Sequence, residues 1–208
     1  RIARNGFVET LYDQSGNGND VDQGTAGSQP AIVQNGGQVK VGNRASIKFD
    51  GSNDFLERAT YTQGELAQIN TIFSVAKLDT YADENRKVYD GHASTARNML
   101  QLNPVGNGQF AHYAGVVAAT GEDADANQHL FTSRINGAAS RLYIDGVQKS
   151  TSSTGSYGMQ GITIGANHDQ TTNNCWDGDI QEIIVYNSDQ NDDRANQQDD
   201  INNYYTIY

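Results

Sequence analysis

Asp13, Ser15, Asn17 and Asn19 place oxygen-bearing side chains at every second position of a glycine-rich stretch. Carboxylate and amide oxygens are what a hard cation such as calcium prefers. The stretch is not an EF-hand, because its twelfth position would be Gly24, which carries no bidentate carboxylate. The competing reading is a turn in which Asp13 and Ser15 bond their own backbone. Asp169, Asp177 and Asp179 form a second acidic loop group beside Trp176. Asp13, Asn17, Asn19, Asp177 and Asp179 are thus the candidate calcium ligands. A different chemistry is available to Tyr89, His92, Arg97, His112, Tyr113, Asn167, His168 and Trp176. Aromatic rings stack on the apolar C–H faces of a sugar, and the polar members bond its hydroxyls. The alternative for the aromatic members is a half-buried core position with a wet polar tip.

Other chemistries lack their residues. His92, His112, His129 and His168 show no zinc-like pairing. There is no G-x-S-x-G elbow and no G-x-x-x-x-G-K phosphate loop. Cys175 is the sole cysteine, so no intrachain disulfide forms, and a small buried hydrophobe is its ordinary role. The net charge of −11 comes from 19 Asp and 6 Glu against 14 Lys and Arg. That balance opposes nucleic acid, which needs a basic footprint, and opposes anionic membrane surfaces. No apolar run approaches the roughly 18 residues of a membrane span. With 21 Asn and 17 Gln, the composition suits a loop-rich extracellular or particle-borne surface. The chain begins at Arg1, as expected if a leader has been removed or if this is a piece of a longer protein.

The elements that must position these residues read as strands. Short apolar runs end in Asp-Gly or Gly turns: Ile47–Phe49 before Asp50-Gly51, Leu142–Ile144 before Asp145-Gly146, and Ile162–Ile164 before Gly165. Asp-Gly between β-rich runs marks a hairpin or tight turn, because glycine accepts positive φ. A leading strand is expected within Arg1–Thr10, and a hairpin around Asn35-Gly36-Gly37. Thr71–Leu78 is apolar on both faces, Ile72, Ala76 and Leu78 against Phe73 and Val75, and reads as a central strand. Further strands are expected at 86–89, 98–102, 109–117, 127–135, 140–147, 161–165 and 180–186, with one helical turn at 64–68. Asp189 is placed to cap a terminal helix whose Ile201, Tyr204, Tyr205 and Tyr208 share one face, packed on a sheet edge. Without repeat or linker, residues 1–208 are expected to form one antiparallel β-sandwich domain with a short C-terminal helix.

Four ordered motifs carry a resemblance across most of the chain. They are Tyr12-Asp13-Gln14-Ser15-Gly16-Asn17-Gly18-Asn19, Phe49-Asp50-Gly51-Ser52-Asn53-Asp54, Leu142-Tyr143-Ile144-Asp145-Gly146 and Trp176-Asp177-Gly178-Asp179-Ile180-Gln181-Glu182. Together they resemble the laminin G-like branch of the concanavalin A-like lectin/glucanase superfamily. The set is similar to versions in structural or tail-associated proteins of tailed bacteriophages, especially marine ones. The first motif is also similar to arabinofuranosidase catalytic domains. The resemblance implies a two-sheet jelly-roll sandwich, often with glycan binding and sometimes with calcium.

Glucanases of that superfamily set acids at alternate positions of one strand facing the cleft. Here the corresponding alternation is Ile180, Glu182, Ile184 and Tyr186, with a single acid. Glycoside hydrolysis needs two carboxylates roughly 5–10 Å apart, so Glu182 is expected to tie down a loop instead. The leading expectation is a non-enzymatic virion protein, displayed on the particle surface or extracellularly. Its partners would be host-surface polysaccharide or other glycans, other virion proteins and further copies of itself. The alternatives are a secreted bacterial carbohydrate-binding module and, last, a glycoside hydrolase.

Overall fold

A computed structural model describes residues 4–80, 85–103, 108–170 and 174–208. The start of the expected leading strand, residues 1–3, lies outside them. Two antiparallel sheets face each other across one apolar layer. The first runs in the order Gly6–Phe7, Ala31–Gln34, Ile47–Asp50, Asp177–Tyr186, Asn70–Leu78, Gln128–Ile135, Arg141–Ile144 and Val147–Ser150, with Gly37–Gln38 paired to Ala31–Gln34. The second runs Val117–Asp123, Gln109–Tyr113, Met99–Asn103, Lys87–Asp90, Ile162–Ile164, Leu56–Arg58, Val21–Asp22 and Thr10–Leu11. A small hairpin joins Lys40–Val41 to Arg44–Ala45. The architecture is the expected jelly-roll sandwich with one short C-terminal helix.

Asn70–Leu78 is central, flanked by Asp177–Tyr186 and Gln128–Ile135. Its two apolar faces serve different layers. Ile72, Ala76 and Leu78 join the core between the sheets, with Phe49, Leu100, Phe131, Leu142 and Trp176. Phe73 and Val75 point outward, with Leu130, Ile184 and Tyr186, and meet Ile201, Tyr205 and Ile207. The helix Arg194–Tyr205 therefore lies on the outer face of the first sheet, not on its edge. Asp189 does not cap it; Asp193 occupies that place, and Asp189 accepts from Arg134 Nε and Nη2, each at 2.6 Å. Tyr204 and Tyr208 stay exposed.

Turn chemistry set the hairpins. Asp145 and Gly146 both take positive φ, 52° and 75°, as a two-residue hairpin of this hand demands. The expected strand 140–147 is thus two strands around that turn. The expected strand 109–117 likewise folds back after Tyr113, giving Gln109–Tyr113 paired to Val117–Asp123. Residues 64–68 form no helical turn; Leu66 instead bridges to Met159. A bulge between Ile180 and Glu182, opposite Val75 and Ala76, breaks the expected alternation. Ile180 faces the core, whereas Glu182 turns outward and accepts a hydrogen bond from the Tyr205 hydroxyl at 2.8 Å. Glu182 thus ties down the helix rather than a loop.

Candidate functional site on the outer face of the second sheet

Alternation fixes what this face presents. Leu56, Ile162, Ile164, Leu100, Leu102 and Phe110 enter the core. Their neighbours Glu57, Thr163, Gln101 and Ala111 must then face outward. Strand register sets Asp22, Glu57, Thr163 and Asp90 side by side in one row across four strands. A bulge at Val88 puts Lys87 on this face too, opposite Gln101. Burial deepens along the row. Asp22 is exposed, Glu57 is half-buried, and Thr163 and Asp90 are fully buried.

Two loops wall the deep end. Gly91 lets the first return sharply, since a Cβ there would sit 2.6 Å from the Arg97 Cα. Arg97 then forms a two-point ion pair with Asp90, Nε to Oδ1 at 3.0 Å and Nη2 to Oδ2. Its Nη2 also donates to Asn167 Oδ1 at 2.7 Å, and its guanidinium faces the Tyr113 ring at 5.8 Å. From the second loop, the His168 backbone N–H donates to Asp90 Oδ2 at 3.0 Å. Asn167 donates to Asp169 at 2.6 Å. Gln170 donates to Glu57 Oε2 at 3.0 Å, and His92 Nδ1 lies 3.3 Å from the same oxygen.

Electrostatics follow from this enclosure. Burial pushes the Asp90 carboxyl above its usual range, against the pull of Arg97. Burial lowers Lys87 to about 8, despite the nearby Asp90 charge. The Thr163 hydroxyl and His168 Nδ1 are buried and find no hydrogen-bond partner among the described residues. A buried polar group left unpaired costs roughly 1–3 kcal/mol. This face therefore holds desolvated donors and acceptors next to an aromatic ring, which is what a polyhydroxylated ligand requires.

Of the sugar-binding candidates, His92, Arg97, Tyr113, Asn167 and His168 meet here through these contacts. Tyr89, His112 and Trp176 do not. All three are fully buried in the core, so no surface ligand can reach them. His112 points between the sheets, its Nδ1 2.9 Å from the Ser133 hydroxyl, and burial drives its pKa down to about 3. Burial raises the Tyr89 hydroxyl strongly. Residue type alone could not separate these from exposed platforms. Glu57, Lys87, Thr163 and Gln170 were not singled out as site residues, although the polar positions between Leu56, Ile162 and Ile164 were a readable signal.

The calcium candidates do not assemble. The Asp13 carboxylate accepts from the backbone N–H groups of Ser15 and Asn19 at 2.8 and 3.0 Å. These bonds, with the Ser15 side chain first, hold its pKa below the usual value. Asn19 Oδ1 accepts from the Thr62 backbone at 2.9 Å, and the Asn17 amide donates to the Ser15 hydroxyl at 2.8 Å. The loop is the self-bonded turn. Asp177 and Asp179 lie in a strand, not a loop, against Arg86 at 4.0 Å and Lys48 at 3.4 Å. Among the described residues no three His, Cys, Asp or Glu side chains gather to hold a metal ion. The five candidates thus come together in no common site among the described residues.

No protein-family model and no curated protein sequence matches this chain. Solved structures do match its fold. A Trypanosoma rangeli sialidase in complex with sialic acid superposes with a TM-score of 0.64 at 12% identity, over 94% of this chain and 31% of that one. The chain thus spans about a third of the sialidase's length. Domain 4 of AbnA, a GH43 extracellular arabinanase from Geobacillus stearothermophilus in complex with arabinotriose, gives 0.59 at 13% identity, covering 89% and 93%. A putative carbohydrate binding protein from Bacteroides ovatus gives 0.60 at 12%, covering 81% and 54%. At such identities the likeness is one of fold, a lectin-type sandwich shared by glycan-related domains. Among the described residues, no helix is long and apolar enough to cross a membrane.

Proposed function

We propose that this chain is a non-enzymatic glycan-binding domain whose sugar lies on the outer face of the second sheet. The observation that carries this reading is the meeting of Arg97, Asn167, His168 and His92 beside the Tyr113 ring on a face no helix covers. Tyr113 supplies the stacking ring. Arg97, Asn167, His92 and His168 supply bonds to hydroxyls. The glycan-related fold neighbours support the same reading.

Hydrolysis is disfavoured by the carboxylates themselves. Glu182 is on the opposite side of the molecule under Tyr205, and Asp90 is held at two points by Arg97. Neither is free to protonate a leaving group or attack a sugar carbon. Binding needs no calcium in this account. The four motifs support a laminin G-like, outward-displayed role in a phage particle, with several copies giving avidity to weak sites. A carbohydrate-binding module of a secreted bacterial protein is the second reading. It is favoured by the near-complete overlap with domain 4 of the arabinanase.

A glycan array probed with the purified protein, with calcium and again with EDTA, tests the proposal. Binding that ignores EDTA and weakens in Tyr113→Ala is expected. An array without signal in either condition would overturn it.

A further inference from the structure

The first sheet is incomplete at its centre. Ile47–Asp50 pairs with Asp177–Ile180 and goes no further, because the chain before Ile47 turns away toward Val39. From Glu182 to Tyr186 the strand keeps only Asn70–Leu78 beside it. In an antiparallel ladder, alternate residues aim their N–H and C=O groups away from a single neighbour. Those of Glu182–Tyr186 have no ladder partner among the described residues. The open edge is roughly 17 Å long, at about 3.4 Å per residue.

Beside that edge, a cavity of about 950 Å³ opens between the sheets. Its inner walls are apolar, Ile47, Ile183 and Val185 from the first sheet facing Leu56, Ile162 and Ile164 from the second, while polar residues such as Gln14, Asn17, Gln63 and Gln68 line the rest. Leu11 and Ile69 expose themselves at the rim, 41% and 37% accessible. Asp13, Glu65 and Glu182 are the charged groups around it, and no Lys, Arg or His lines it among the described residues.

An unpaired strand edge over an apolar trough is the geometry of strand addition. We infer that this cavity accepts an extended peptide segment that alternates aliphatic and basic residues, completing the first sheet. Its backbone pairs with Glu182–Tyr186. Its aliphatic side chains fill the space over Ile183 and Val185, and its outward Arg or Lys side chains lie beside Glu182 as cross-strand partners. The unpaired edge selects the backbone, the cavity the aliphatic half of the pattern, and the three acids the basic half. This site is separate from the glycan face, so the two proposals stand or fall independently.

The test uses the whole chain and a fluorescein-labelled heptapeptide alternating Val and Arg. Saturable anisotropy is expected, with hydrogen exchange slowed at Ile183–Tyr186 on binding. An otherwise identical peptide N-methylated at alternate amides is expected to bind roughly tenfold or more weakly, through lost ladder bonds. A Val/Glu peptide should lose at least as much. Glu65→Gln, an exposed change that leaves the fold intact, should weaken only the Val/Arg peptide. Equal binding of the N-methylated peptide would overturn strand pairing, and equal binding of the Val/Glu peptide would overturn the charge selection. No peptide binding would also overturn the proposal. So would concentration-dependent dimerisation that protects Ile183–Tyr186, because a second copy would then be the occupant.

Discussion

The two outer faces of this sandwich begin from the same strand alternation and end differently. On the first sheet, Phe73, Val75, Leu130, Ile184 and Tyr186 make an apolar outer face, and Ile201, Tyr205 and Ile207 cover it. Several polar groups there are answered. Gln198 donates to Thr132 at 2.8 Å, Arg134 to Asp189 and Tyr205 to Glu182. On the second sheet, Glu57, Lys87, Asp90 and Thr163 take the corresponding outward positions, and loops bury all of them but Glu57. Hydrocarbon facing outward was covered by the chain's own helix. Polar groups facing outward were buried under loops, with Glu57 and Asp22 at the open end of the row. Stability is invested in the first face, and the second is the face proposed for recognition.

Separating stability from binding is the way to break this contrast. Arg97→Ala strands the buried Asp90 carboxylate, so a loss of roughly 3–5 kcal/mol is expected in urea unfolding, together with glycan binding. The double change Asp90→Asn with Arg97→Met should recover most of that stability and none of the binding. Full binding by the double variant would move the site elsewhere.

Tyr205→Ala is the mirror experiment. It removes a half-buried ring and its bond to Glu182, at a cost of about 2–3 kcal/mol in unfolding free energy. Glycan affinity should stay at the wild-type value, and a variant that folds yet loses affinity would contradict the division of labour.

Lys87 sharpens the contrast through pH. Burial holds it at about 8 in the folded protein, below the unfolded value of 10.5. The unfolded chain then binds more protons between those values, so stability rises with pH across that window. The gain is at most roughly 3 kcal/mol. Lys87→Met should flatten the slope, as read from urea midpoints between pH 7 and 11. An unchanged slope would mean that Lys87 is not desolvated.

Tyr113→Ala has the smallest expected effect on the fold, within about 0.5 kcal/mol. Its loss of stacking should still weaken glycan binding by roughly tenfold, comparable to other aromatic platforms.

Much of this was legible from residue order. The two-sided apolar run at Ile72–Leu78 announced a central strand, and Asp145-Gly146 announced its hairpin. His92, Arg97, Asn167 and His168 were picked as polar residues on predicted strand ends and loops, and register brought them together. Tyr89, His112 and Trp176 were misplaced because an aromatic or imidazole side chain reads the same in a core and on a platform. Ile180 and Glu182 read as sharing one face because a bulge depends on the partner strand, which local alternation does not contain. The cavity beside Ile183 and Val185 was invisible for the same reason, since both residues read as ordinary core positions.

The central claim is most directly tested by hydrogen exchange of the protein saturated with an array-identified glycan. Slowed exchange across 87–101, 109–113 and 162–170 is predicted, with 194–205 unchanged. Protection confined to the helix-covered face, or no protection at Lys87–Asp90 and Gln109–Tyr113, would contradict it.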